Sequence, residues 1–454
     1  MSLIRRWGGD ELLVRVVQNS AHLFTSNSAS LVLTFIQGVL AARILGPGGF
    51  GLLGIVMSYA ATLNGLLSFR MSELVVRYGG EYLEKGDNQK AAAVIKAVGI
   101  AEMTVSVLAF ALVAVTAGLG ARYFAKTEGN EWMFILYAVG LLANFNTETS
   151  TGILQITDRV SMRGTVNLFQ SVVSVLVVAG VYIWNGRATL PASTALFVIL
   201  LAYLIGKATL GVGLFVAAQT RLRQVLGRGW AAAPFSALPS IGALARFAVS
   251  SNLSATAILI FRESELLWVG FFLNTEAAGL YKIAYTIVGF LSVPADPLIL
   301  SVYPEANRLI VQKAWSRLRD FLRKVTGLAF AYNSLLVLGL VFLGKLILSV
   351  FGAQYVPAYA AMMALLAGLA FNYTLFWNRP LLLSLGSPAF ALWAILIAGL
   401  LKITLAFWLV PRYGYVMEAV LLSLYYVVSV SLIIWRGLAA LTQQESQVPA
   451  AATS

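Results

Sequence analysis

The chain has 454 residues, of which 59% are hydrophobic and 11% charged, and its mean hydropathy is +0.82. Soluble domains carry about a quarter charged residues, so this composition excludes a soluble globular protein and marks an all-α polytopic membrane protein. The sequence has no cysteine and a single histidine, His22, which excludes disulfides, thiolate chemistry and a multi-histidine metal site.

Twelve apolar runs are long enough to cross roughly 30 Å of hydrocarbon. In chain order they cover 21–45, 50–69, 90–118, 132–156, 165–184 and 193–218, then 245–273, 277–303, 321–343, 358–385, 388–410 and 415–435. The pair Arg5–Arg6 reads as a cytoplasmic anchor rather than an export signal, because charges continue through Arg15. With the N-terminus inside, the inner connections gather Arg70, Arg77, Lys85, Arg159, Arg163, Arg221, Arg223, Arg228, Arg308, Lys313, Arg317, Arg319, Arg323 and Lys324 among others. The outer ones hold only Arg43, Arg122, Lys126, Arg187, Lys345 and Arg412. Cationic loops stay cytoplasmic, so both termini are expected inside. The net charge of +13 is then explained by membrane lipids, and no nucleic-acid partner is expected.

The two halves repeat. At an offset of 228 residues Gly51 falls on Gly279, Lys96 on Lys324, Gly99 on Gly327, Gly140 on Gly368, Asn144 on Asn372 and Gly186 on Gly414, without a gap. Both halves start inside, so the repeat is parallel, with a pseudo-twofold axis along the membrane normal. The expected organisation is a six-helix lobe at 1–218, a cytoplasmic linker at 219–240 rich in Gly, Pro and Arg, and a second six-helix lobe at 241–454.

The glycine-rich stretch RILGPGGFG at 43–51 lacks the strand and soluble helix of a phosphate loop, and joins two spans. It reads as a tight helical connection. The seventh run carries charges inside oil, ATAILIFRESELLWVGFF, at 255–272. On a regular helix Ser251, Ser254, Ile258, Arg262 and Glu265 share one face. The repeat mates of the last four are Ser26, Ser30, Thr34 and Gln37, a second polar stripe. Two such stripes at equivalent positions suggest helices facing a common water-filled cleft. Arg262 either binds an anionic group there or neutralises Glu265, and the two roles are compatible. Lys282 also lies within reach of Glu265 on this reading, whereas Glu263 points elsewhere. Arg379 and Lys402 are further cations in apolar runs; Arg379 either snorkels to the surface or joins the cavity. Glu148 is the deepest carboxylate of the first half, a candidate for carrying a proton or sodium ion or for a plain helix–helix hydrogen bond. Pro294, Asp296 and Pro297 break the eighth run and suggest a bent, hinge-like helix.

The segments ARILGPGGFGLLG, NTEAAGLYKIAYTIVGFLSVPADPLILSVYPEANRL and VFGAQYVPAYAAMMALLAGLAFNYTLFWNRPLLLSLGSP resemble bacterial polysaccharide-transport flippases. These form the O-antigen and capsule-unit branch of the multidrug/oligosaccharidyl-lipid/polysaccharide exporter superfamily. The resemblance covers most of the chain. It implies two six-helix lobes in a V around a central cleft, lined by the first, second, seventh and eighth helices. It implies flipping of an undecaprenyl-pyrophosphate-linked oligosaccharide across the inner membrane, with Arg262 as the best-fitting cation for the pyrophosphate. The expected partners are that lipid-linked oligosaccharide, membrane lipids, and the polysaccharide polymerase and chain-length machinery; no cofactor is expected beyond a proton or sodium gradient. A cation-coupled multidrug exporter is the alternative from the same superfamily. An outer-face polymerase or ligase needs a long outer loop with catalytic groups, and the outer connections here are short.

Overall fold

Apolar segments of this length form helices because a bilayer leaves backbone N–H and C=O groups few partners but each other. The computed structural model describes residues 11–238, 242, 256–292 and 295–446, and is helical throughout with short turns and no strand among them. The helices named here are α1 (Glu11–Leu67), α2 (Asn88–Leu119), α3 (Glu131–Ala143), α4 (Thr147–Ile156), α5 (Val160–Ala188) and α6 (Ala192–Val225). The second half contributes α7 (Glu265–Phe272), α8 (Thr275–Gly289), α9 (Ala295–Val311), α10 (Trp315–Phe351), α11 (Tyr359–Thr374), α12 (Asn378–Ser384), α13 (Pro388–Tyr413) and α14 (Tyr415–Ser446). Among the described residues, eight helical stretches are long and apolar enough to span a bilayer by themselves. One of these, Thr25–Glu84, covers the first predicted run from residue 25 onward and the whole of the second. Run four is interrupted by a turn at 144–146, and run eight passes into a 3₁₀ turn at Phe290–Ser292.

Exposed side chains such as Val115, Leu335 and Phe342 are large and apolar, as a lipid-facing surface requires.

Two compact units emerge. One comprises Met1–Leu45, Val56–Tyr123 and Thr127–Thr256; the other comprises Gly46–Ile55, Phe124–Lys126 and Ala257–Ser454. The boundary in the chain thus falls at 256–257, after the linker predicted at 219–240. That linker leaves α6 at Val225 and forms single 3₁₀ turns at Trp230–Ala232 and Phe235–Ala237. Lys96 on α2 donates to the Ala233 carbonyl and sits 4.5 Å from the Phe235 ring centroid, so the linker is pinned to the first unit.

The RILGPGGFG stretch lies within α1. Gly46 there adopts φ 64°, ψ 176°, a backbone state that costs an L-residue side-chain sterics, and Pro47 starts the second arm. Inside the second unit this arm packs against α8 in a reciprocal way. A Cβ placed on Gly51 would fall on the Thr275 carbonyl oxygen, and one placed on Gly279 would fall on the Pro47 carbonyl oxygen. Gly51 and Gly279 are repeat mates at the 228-residue offset, and so are Pro47 and Thr275. A contact in which i meets j′ and j meets i′ requires a local twofold axis between the two segments. The same axis relates Gly54 to Lys282, and the Lys282 side chain lies in the space that Gly54 leaves.

Backbone oxygens cannot rotate out of the way, so Gly51→Val is expected to destabilise the protein by about 3 kcal/mol. Gly289→Ala, whose Cβ meets nothing within 4 Å, should be silent. Thermal unfolding of the detergent-purified variants distinguishes the two.

Candidate functional site

The charged segment of the seventh run does not continue as one regular helix. Leu259–Glu263 forms a π turn, and Ser264 follows at φ −89°, ψ 16° before α7 begins at Glu265. A π turn widens the helix and leaves carbonyls for other donors. Ser264 Oγ donates to Ile260 O at 2.6 Å, Trp268 Nε1 to the same oxygen at 3.3 Å, and Lys402 Nζ to Phe261 O at 3.3 Å.

This break corrects the expected Arg262–Glu265 pair. The spacing of three puts two residues on one face only in an unbroken α-helix, and here the helix is reset between them. Glu265 is 3% exposed and forms an ion pair with Lys402 of α13, which is 1% exposed. Tyr281 on α8 donates its hydroxyl to the other Glu265 oxygen at 2.7 Å. On its far side Lys402 meets Glu418 of α14, fully buried, at 3.0 Å. Gly399 makes the approach possible: a Cβ there would strike the Phe261 ring, so α13 seats against the π turn one turn before Lys402.

Arg262 is left with its sequence neighbour. Its guanidinium donates to Glu263 at 3.1 Å, and the two side chains are 37% and 49% exposed. The expectation that Glu263 points elsewhere is therefore also corrected. Tyr285, Tyr373 and Tyr426 lie within electrostatic reach of Arg262. Tyr425 lies within the same reach of both Arg262 and Arg379, and packs edge-on against Tyr426 with ring centroids 5.5 Å apart. Arg379, half-buried on α12, thus belongs to the same neighbourhood as Arg262. Lys282 does not reach Glu265: its ammonium is buried without a hydrogen-bond partner and sits 4.1 Å from the Phe50 ring centroid.

The first-half stripe is mixed. Ser26, Ser30 and Gln37 are buried, Thr34 is exposed, and Gln37 hydrogen-bonds Tyr203. Ser251, Ser254 and Pro294 lie outside the described residues. Asp296 and Pro297 fall in α9, with side chains outside the described set. Glu148 accepts a hydrogen bond from Ser72 at 2.5 Å. Its neighbour Glu102, a weaker candidate on sequence, accepts the backbone N–H groups of Glu148 and Thr149, each at 2.8 Å. A buried carboxylate there caps the orphaned donors where α4 starts inside the lobe.

The geometry is that of a multi-pass membrane protein, with one buried charge network and, in its second half, a partly exposed Arg262 set over the buried Tyr425 and Tyr426. Comparison with known proteins fixes the class further. The fold is that of the multidrug/oligosaccharidyl-lipid/polysaccharide exporter superfamily. The inward-facing structure of a multidrug-resistance MATE transporter superposes with a TM-score of 0.71 at 13% identity, covering 92% of this chain and 96% of that one. The lipid II flippase MurJ in an inward closed conformation gives 0.65 at 12% identity, over 93% and 90%. A superfamily transporter from Pyrococcus furiosus, described by the reverse polarity of its binding pocket, gives 0.64 at 12% identity, over 95% and 96%. Residues 16–309 match the model of the family described as "Polysaccharide biosynthesis protein", and the chain belongs to that family. It is also 28% identical over 368 residues to the inner membrane protein YghQ of Escherichia coli (strain K12), covering 78% of this chain and 98% of that protein.

Removing one partner of a buried charge network leaves an uncompensated ion. Lys402→Met is therefore expected to cost about 3–5 kcal/mol, seen as a lower unfolding temperature and less protein in the membrane. Neutralising all three positions, Lys402→Met with Glu265→Gln and Glu418→Gln, should recover most of the loss. A single Lys402→Met variant that unfolds like wild type would show that the network holds nothing.

Proposed function

We propose that the protein translocates an undecaprenyl-pyrophosphate-linked oligosaccharide from the cytoplasmic to the outer leaflet of the bacterial inner membrane by alternating access, for cell-surface polysaccharide biosynthesis. Membership of the polysaccharide biosynthesis family supports the substrate class. A relative named as an inner membrane protein supports the location, and the fold it shares with a lipid II flippase supports the mode of action.

The observation that carries the reading is Arg262. An arginine in an apolar segment is expensive unless water or an acceptor meets it. Glu265 is already engaged by Lys402, and among the described residues Arg262 has its ion pair with the half-exposed Glu263 beside it. A pyrophosphate offers several oxygens in the planar, bidentate arrangement that a guanidinium matches better than an ammonium. The half-buried Tyr285 and Tyr373 supply hydroxyls and ring edges of the kind that hold sugars, above the buried Tyr425 and Tyr426. Arg379 adds a second cation to the same neighbourhood. A multidrug exporter of cationic compounds shares the fold, but a cationic site of this kind favours an anionic substrate. A proton or sodium gradient is the proposed energy source, with Glu148 and its capping neighbour Glu102 as the carboxylates of the first half. Polymerase and chain-length proteins are the proposed partners downstream.

Arg262→Ala is expected to reduce surface polysaccharide export at least tenfold at normal protein levels, and Arg262→Lys to retain part of it. Lipid-linked repeat units should accumulate on the inner leaflet. Export by a well-inserted Arg262→Ala protein at the wild-type rate, or resistance to a cationic dye conferred by the wild type, would overturn the reading.

A further inference from the structure

The second half also contains a groove that neither the Lys402 network nor the Arg262 surface uses. It lies near the Trp315 end of α10, between α10, the turn before α12, and α14, and has a volume of about 680 Å³. Its walls are apolar, formed by Leu322, Phe330, Trp377 and Leu438, with Arg319 and Arg323 at its rim. The one polar group on the Trp377 ring is satisfied, Nε1 donating to Thr326 Oγ1 at 2.7 Å. Nothing lies within 4 Å of a Cβ built on Gly327, which leaves a notch in the floor. Phe330 and Leu438 are well exposed, so the groove is open to the outside of its helices.

The repeat shows what a filled version looks like. At the 228-residue offset Gly327, Phe330 and Trp377 correspond to Gly99, Glu102 and Thr149. In the first half a Cβ on Gly99 would meet Asn146 Oδ1 at 3.1 Å, and Glu102 is bonded to the backbone of Thr149. The same place is closed by a polar network in one half and left as an apolar groove in the other.

The charge at the rim selects the occupant. The first turns of α10 carry Arg317, Arg319, Arg323 and Lys324 against Asp320 alone. Arg319 also pairs with Glu445 at 2.6 Å, whereas Arg323 reaches Asp320 only at 3.9 Å and keeps 82% of its side chain exposed. A cationic rim over an apolar slot in a membrane-spanning protein matches a phosphate headgroup joined to a hydrocarbon chain.

We propose that this groove binds one anionic phospholipid of the surrounding bilayer, its phosphate at Arg319 and Arg323 and one acyl chain along the Gly327 notch between Phe330 and Leu438. The site is independent of the substrate reading above, and its failure leaves that reading untouched.

Native mass spectrometry of the detergent-purified protein, titrated with phosphatidylglycerol or phosphatidylcholine, tests it. Wild type should retain phosphatidylglycerol in preference. Replacing both rim arginines, Arg319→Gln with Arg323→Gln, should lower that retention roughly tenfold. Gly327→Leu, whose Cβ would meet nothing within 4 Å, should lower retention of the same lipid while the unfolding temperature stays at the wild-type value. Equal retention of the two lipids, or undiminished retention in Gly327→Leu, overturns the proposal. Displacement of phosphatidylglycerol from the same notch by undecaprenyl phosphate also overturns it, assigning the groove to the substrate lipid instead.

Discussion

One ammonium between two carboxylates sets much of the second half. Lys402 is buried with Glu265 on one side and Glu418 on the other, and desolvated ions of this kind persist only when each is paired and hydrogen-bonded. The pairing fixes three segments against each other: α7, α13 and α14. It draws on local features that have no other evident purpose, the π turn that exposes Phe261 O to Lys402 and the missing side chain at Gly399. It also has a consequence for chemistry. With Glu265 committed to Lys402 and Tyr281, the neighbouring Arg262 pairs, among the described residues, with the half-exposed Glu263 and remains an available cation.

The two halves share a scaffold but not their electrostatics. At the 228-residue offset Glu265 corresponds to Gln37 and Lys402 to Ser174. Gln37 hydrogen-bonds Tyr203, and Ser174 accepts from Gln170 at 2.9 Å, so the first half solves the same burial problem with neutral groups. Conversely, the first half keeps Glu102 where the second has Phe330. Charge has been retained at different repeat positions in each half, while Gly51 and Gly279 keep a reciprocal contact inside the second unit.

Much of this was legible from sequence. Apolar runs, basic connections and a gapless repeat are large, additive signals, and they lead to an all-helical, two-lobed membrane protein. Arg262 was legible as a charge out of place in oil, and Lys402 as another. Their partners were not. Pairing Arg262 with Glu265 assumed an unbroken helix, and nothing in LIFRESE announces a π turn. Glu418 lies close to a predicted span end, where a carboxylate is unremarkable, yet α14 carries it fully inside. A lone lysine and a lone glutamate in neighbouring apolar spans were the available hint, since each implies a counter-charge that its own helix lacks. Lys282 was misassigned for a related reason: reach along a helix says little about which way a long side chain turns, and here it turns into the space opposite Gly54.

The most direct test of this account is the affinity of the purified protein for undecaprenyl pyrophosphate, compared between wild type and Glu265→Gln. If Glu265 belongs to Lys402, Arg262 is equally available in both proteins, and the two affinities should agree within about twofold. Binding several-fold tighter in Glu265→Gln would mean that Glu265 neutralises Arg262 after all, and would contradict the arrangement on which the proposed site rests.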